Sequence, residues 1–164
     1  MSQQIINIGT SPNNGLGDPV RTAFRKINEN FTELYQNTIN PIANTLFVLA
    51  DAEYTPGTVV VFGGEQEITM ATQDHDVAVA GVVSTRPAYA MNSGLIGDHV
   101  ATVALIGRVP CRVQGPVRKG ALMVSAGNGC ARAEINPAPG ATIGKALQSF
   151  DGDYGTIEIV VGRI

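Results

Sequence analysis

Between Val20 and Ile42 the apolar residues return at helical spacing. Val20, Phe24, Ile27, Phe31 and Leu34 follow one another at steps of four, three, four and three, and Thr38 takes the next position. That recurrence gathers them on the inward seam of a short heptad pattern, and Ala23, Tyr35, Ile39 and Ile42 widen the stripe. Asp18 is placed to cap the first free amides, and Pro19 suits the first helical position because no donor is needed there. Pro41 disfavours helical geometry at the residue before it, so the helix is expected to stop near Asn40. About 21 residues at ~1.5 Å each make a rod of roughly 30 Å. A helix of two or three heptads is marginal in water by itself, so the stripe is expected to pack on identical copies, on a larger assembly, or on the chain's own globular part. Arg25 and Glu29, four apart on the outer side, add only about 0.2–0.5 kcal/mol.

After residue 44 the period changes from helical to two. Thr45–Ala50 is a short apolar run that reads either as a connector or as a first strand. Further candidate strands are Thr58–Phe62, Ile68–Met70, Val77–Ser84, Val100–Ile106, Val109–Val113, Ala121–Ser125, Ala131–Ala133 and Thr156–Val161. Tyr54-Thr55-Pro56-Gly57, Gly63-Gly64 and Asp151-Gly152-Asp153-Tyr154-Gly155 supply turns between them. Gly107, Gly115, Gly120, Gly127, Gly129 and Gly155 mark further turns, bulges or close backbone approaches. Val77, Val79, Gly81 and Val83 are expected on one face. Val100, Thr102 and Ala104 alternate with Ala101, Val103 and Leu105, which suits a strand covered on both sides. The expected fold is therefore mainly β. An N-terminal extended segment and amphipathic helix, residues 1–44, precede a small β-barrel or β-sandwich domain, residues 45–164.

Composition supports short strands over a helical body: only 15 % of the 164 residues are charged and 5 % aromatic, against 19 glycines and 9 prolines. A net charge of -3 gives no general attraction to nucleic acid or to an anionic membrane, and neither is an expected partner. No run of 18 apolar residues suggests a membrane span, and the N-terminus lacks the basic-then-apolar succession of a signal peptide. Cys111 and Cys130 are too few for a disulfide framework and are expected as free buried thiols.

Candidate chemistry is sparse. Asp74-His75-Asp76 concentrates three possible metal ligands, but alternation along a strand would put His75 on the face opposite the two carboxylates, and a polar surface turn is the favoured reading. Asp98-His99 reads as a loop. Ser125-Ala126-Gly127-Asn128-Gly129-Cys130 offers two nucleophile types without the surroundings of a nucleophile elbow and suits a hairpin. Gly15-Leu16-Gly17 and Gly63-Gly64 lack the Lys-Ser/Thr that a phosphate loop needs. No catalytic residue, cofactor or metal is expected. Arg108, Arg112, Arg118 and Lys119, gathered around Pro110 and Pro116, form either a positive interface rim or ordinary solvated loops. With no Trp, only Tyr54, Tyr89 and Tyr154 offer a small sugar-stacking surface.

Ile8-Gly9-Thr10, Gly17-Asp18-Pro19, Arg21-Thr22-Ala23-Phe24 and Lys26-Ile27-Asn28-Glu29-Asn30-Phe31-Thr32-Glu33-Leu34-Tyr35 resemble the N-terminal module of bacteriophage virion proteins, particularly fibres and related appendages. The match covers nearly all of residues 5–36. Tyr54-Thr55-Pro56-Gly57-Thr58-Val59-Val60, Val79-Ala80-Gly81-Val82-Val83-Ser84, Gly107-Arg108-Val109-Pro110 and Ile143-Gly144-Lys145-Ala146-Leu147 resemble a β domain of phage structural proteins. The resemblance implies a non-enzymatic head or tail fibre or appendage subunit, made in the host bacterial cytoplasm and carried in the virion. It also implies a homotrimer that meets capsid, portal, collar or baseplate through an interface of Val20, Phe24, Ile27, Phe31, Leu34 and Tyr35. A capsid decoration or cement protein is the alternative. Self-cleavage, known in some phage appendage proteins, is not carried over, because no convincing nucleophile and no downstream segment to release are seen here.

Overall fold

A computed structural model of the chain describes residues 4–11, 14–39, 43–84 and 87–162. Two compact units divide the chain, Met1–Asn40 and Pro41–Ile164. The first holds α1, Val20–Ile39, and the extended lead before it. Its opening hydrogen bond runs from the Ala23 amide to the Pro19 carbonyl at 3.0 Å, which makes Pro19 the capping position, one residue later than expected. The Asp18 carboxylate serves another purpose: it accepts the Asn7 amide at 3.0 Å and the Lys26 ammonium at 2.7 Å.

The second unit contains β1 (Ala43–Leu49), β2 (Val59–Phe62), β3 (Ile68–Met70), β4 (Val79–Val83), β5 (Pro87–Met91), β6 (Val100–Gln114), β7 (Leu122–Gly127), β8 (Cys130–Glu134), β9 (Gly144–Ala146) and β10 (Tyr154–Val161). Strands β6, β8, β7, β9 and β10 close into a five-stranded barrel, since β10 pairs with both β9 and β6. The remaining strands extend from the other half of β6: β1 and β5 on one pairing path, β4, β2 and β3 on the other.

Val100–Ile106 and Val109–Val113, expected as two strands, are thus one strand of 15 residues. The glycine between them does not end it. Gly107 has φ +122°, a conformation that a side chain resists, and it pairs with Ala43 of β1 and with Val161 of β10. Just before it, Asn44 faces Ile106 while Thr45 faces Ala104, which leaves Leu105 as an extra residue. Such a bulge reverses the alternation of faces. Ala101 and Val103 accordingly enter one core and Ala104 the other, but beyond the bulge it is the odd residues Val109, Cys111 and Val113 that join Ala104.

The same device corrects the expectation for β4. Val60 faces Gly81 and Val61 faces Val79, so Ala80 is the extra residue there. Val79 packs against the barrel core with Val82, whereas Val83 lies in the second core with Val48, Val60, Ile68 and Val103, and Val77 is exposed. Val59, Val60 and Val61 are all buried, because β2 is covered on both faces. Each is worth about 1.5–3 kcal/mol relative to an exposed position. The last strand begins at Tyr154, so Tyr154 and Gly155, expected in the hairpin loop, belong to the ladder with β6.

Closure of the barrel depends on a short strand that periodicity did not reveal. A Cβ placed on Gly144 of β9 would overlap the Val160 carbonyl oxygen, backbone that has no room to swing aside. Gly144→Ala is expected to cost roughly 2–3 kcal/mol, seen as a lower urea midpoint at unchanged slope. An unchanged midpoint would contradict β9–β10 closure.

Candidate functional site

In the N-terminal unit the main chain of the lead is fastened to polar positions of α1. The Gln4 amide donates to Asn30 Oδ1, the Asn30 Nδ2 donates back to the Gln4 carbonyl, and Lys26 Nζ donates to the Ile5 carbonyl, each at 2.9 Å. Lys26 and Asn30 are four apart and so share a side of the helix, beside the apolar stripe. The lead turns back on itself through its own asparagines. Asn7 accepts the Gly9 amide at 2.9 Å and donates to the Leu16 carbonyl at 2.8 Å; Asn14 accepts the Leu16 amide at 3.0 Å; the Asp18 amide reaches the Asn7 carbonyl at 2.8 Å. The Lys26 ammonium and then the Asn7 amide hold the Asp18 carboxyl below its ordinary range.

These polar contacts leave the apolar side chains facing outward. Exposure runs from 60 % at Phe24 and 65 % at Phe31 to 72 % at Val20 on the helix, and reaches 87 % at Ile8 on the lead, with Ile5 and Leu16 also open. Ile27 is half-buried. The side chains of Leu34, Tyr35 and Ile39, and all of Ile42, lie outside the described residues. Sequence reasoning found the stripe but missed Asn7, Asn14, Lys26 and Asn30. Asparagines spaced to close turns on their own backbone, and a Lys–Asn pair four apart on one helix side, were the available signals.

The basic residues do not form a uniformly positive rim. Arg108 and Arg112 stand on the same face of β6, but Glu158 lies across from Pro110 between them and its carboxylate accepts the Arg108 Nε at 3.0 Å. Arg118 and Lys119 are exposed in the loop between β6 and β7, where the Lys119 amide donates to Ser149 Oγ at 3.1 Å.

The other candidate groups are occupied by structural contacts. Asp74 makes a two-pronged pair with Arg132, at 2.5 Å to Nε and 2.9 Å to Nη2, and Arg132 also binds Glu134 at 2.8 Å. His75, at φ +57°, accepts the Ala138 amide on Nε2 at 2.8 Å, while its Nδ1 lies 3.8 Å from Glu134. Asp76 caps the Ala78 amide. Among the described residues no group of three His, Cys, Asp or Glu side chains converges as a metal site. Ser125 is fully buried, its hydroxyl accepting the Asp76 amide at 2.8 Å. Asn128 and Gly129, at φ +51° and +66°, form the two-residue hairpin loop between Gly127 and Cys130, the geometry of a type I′ turn. Tyr54 bonds through its hydroxyl to Asp51 and to the Met70 amide, and packs on the second core; Tyr89 and Tyr154 are exposed.

No protein-family model matches the chain, and no curated protein matches it in sequence. Among solved structures, it is similar to the crystal structure of the head fibre gp8.5 N base of bacteriophage phi29. Identity is 11 %, 73 % of this chain and 93 % of that chain are covered, and the TM-score is 0.46. Likeness at that level does not define a shared fold, and the functional reading rests on the chain's own residues.

Two expectations follow from these contacts. Arg132 first of all, through hydrogen bonds, holds the Asp74 and Glu134 carboxyls below their usual range. Their contribution is present above the ordinary carboxyl pKa and lost as pH falls through the lowered values. Arg132→Leu should therefore lower the urea midpoint at pH 7 and narrow the gap between pH 7 and pH 3; an unchanged gap would show that the cluster is not part of the acid response. Burial pushes the Cys111 thiol up, and Cys130 is also buried. Neither should react with a thiol-specific disulfide reagent until the protein is unfolded, and rapid reaction of either in native protein would contradict the barrel packing.

Proposed function

We propose that this protein is a non-enzymatic structural component of a bacteriophage virion. In this reading it is a short head or tail fibre or appendage subunit that is made in the host cytoplasm and assembles through its N-terminal unit. The observation that carries the reading is the apolar stripe of α1, open at Val20, Phe24 and Phe31, beside a lead that hydrogen bonds to Lys26 and Asn30 hold against the helix. Water gains nothing from such a surface, whereas a second apolar surface does. The residues of the phage-like module, from Ile8-Gly9-Thr10 to Leu34-Tyr35, include the stripe and the three side chains, Asp18, Lys26 and Asn30, that hold the start of the lead.

A homotrimer fits this reading, with Val20, Phe24, Ile27, Phe31 and Leu34 around a shared axis. Capsid, portal, collar or baseplate proteins are the partners that a virion offers. The structural rather than catalytic role is supported by the fate of the candidate nucleophiles and bases. Ser125 and the His75 ring nitrogen each accept a backbone amide, and both thiols are buried.

Phe31→Asp, which puts a charge in the middle of the stripe, is expected to reduce the oligomer to monomers while the β unit keeps its unfolding transition. Light scattering coupled to gel filtration reads the mass, and retention of the parent mass would overturn the assembly role. Copy number in purified particles separates the two virion roles. A number matching fibre or appendage positions supports the proposal; one near that of the major capsid protein supports a decoration protein instead.

A further inference from the structure

We infer that the lead and the helix form one composite docking surface whose occupant is a second copy of this chain, and that Lys26 is the residue that fixes the lead in place for it. This deepens the assembly role and rests on that reading. Lys26 is partly shielded and joins three segments at once: its ammonium donates to the Ile5 carbonyl at 2.9 Å and to Asp18 at 2.7 Å, and the same Asp18 oxygen accepts the Asn7 amide at 3.0 Å. Asn30 closes the far end with its pair of bonds to Gln4. The lead therefore runs antiparallel along the flank of the helix, tied to it through the Gln4 amide and carbonyl, the Ile5 carbonyl and the Asn7 amide.

The occupant follows from chemistry and size. Ile5, Ile8, Leu16, Val20, Phe24 and Phe31 are uncharged and open. At on the order of 100 Å² or more each, they present roughly 800 Å² between them, about one side of a standard stable interface. A seam spaced four and three is self-complementary, since parallel copies set Val20, Phe24, Ile27 and Phe31 at matching heights. An occupant with the same seam therefore covers the helix, and the latched lead supplies Ile5 and Ile8 beside it. Preorganisation of the lead lowers the ordering cost of association.

Sedimentation of the full chain tests this. The parent is expected to be an oligomer at micromolar concentration. The double variant Ile5→Asp/Ile8→Asp should raise the dissociation concentration at least tenfold. Ile135→Asp, an open apolar position on the β unit, should leave it unchanged. Lys26→Met should speed hydrogen exchange at the Asn7 amide and weaken assembly without loss of helix by circular dichroism. Parent-like association of the Ile5→Asp/Ile8→Asp variant would remove the lead from the interface while leaving the helix seam standing. Slow exchange at Asn7 in Lys26→Met would refute the latch. A monomeric parent at tens of micromolar would overturn self-association itself.

Discussion

The β unit depends on one strand being shared by two structures. Residues 107–114 of β6 are a stave of the closed barrel, while residues 100–107 carry the ladders to β1 and β4. A strand that simply alternated could not serve both, because the residues facing the barrel core after Gly107 would face the wrong side before it. The bulge at Leu105 and the positive φ of Gly107 resolve the conflict within three residues. Their effect is visible in the packing: Ala104 and Val109, five apart and so on opposite faces of a regular strand, meet in the same core. Ala80 in β4 repeats the adjustment next door, so that Val79 and Val82, three apart, meet the same core, while β2 presents Val59 and Val61 to that core and Val60 to the other by simple alternation.

A different economy governs the N-terminal unit. The large apolar side chains described on the lead and the first turns of α1 are mostly exposed, and the lead is held by hydrogen bonds between side chains and backbone. Asn7, Asn14, Lys26 and Asn30 fasten the lead, and Ile5, Ile8, Leu16, Val20, Phe24 and Phe31 stay open. Polar contacts at exposed sites contribute modestly to stability, so this arrangement specifies shape more than it adds free energy.

Periodicity and turn chemistry exposed much of this plan. The helix, the first strand option at Thr45–Ala50, the Asn128-Gly129 hairpin and the last strand are all written in local spacing or turn residues. What escaped was non-local. β9 is three residues long, Gly-Lys-Ala, and exists because Gly144 lets it approach β10. β5 opens on Pro87 and is rich in alanine, neither a strong strand signal. The division expected within β6 does not exist, because a glycine that reads as punctuation is a bend within one ladder. In the N-terminal unit the apolar stripe was legible and its polar frame was not, because the Asn- and Gly-rich lead carries no periodicity. Only tertiary contact shows that Lys26 and Asn30 hold it, and that Asp18 belongs to that latch rather than to the helix cap.

The central claim is that the N-terminal unit is the assembly element of a virion protein. Reconstruction of the intact particle that contains this chain tests it most directly. The account predicts that α1 and the lead lie at a junction between copies of this chain, with Phe24 and Phe31 covered. A particle in which that stripe faces solvent, or purified particles that lack the chain altogether, would contradict it.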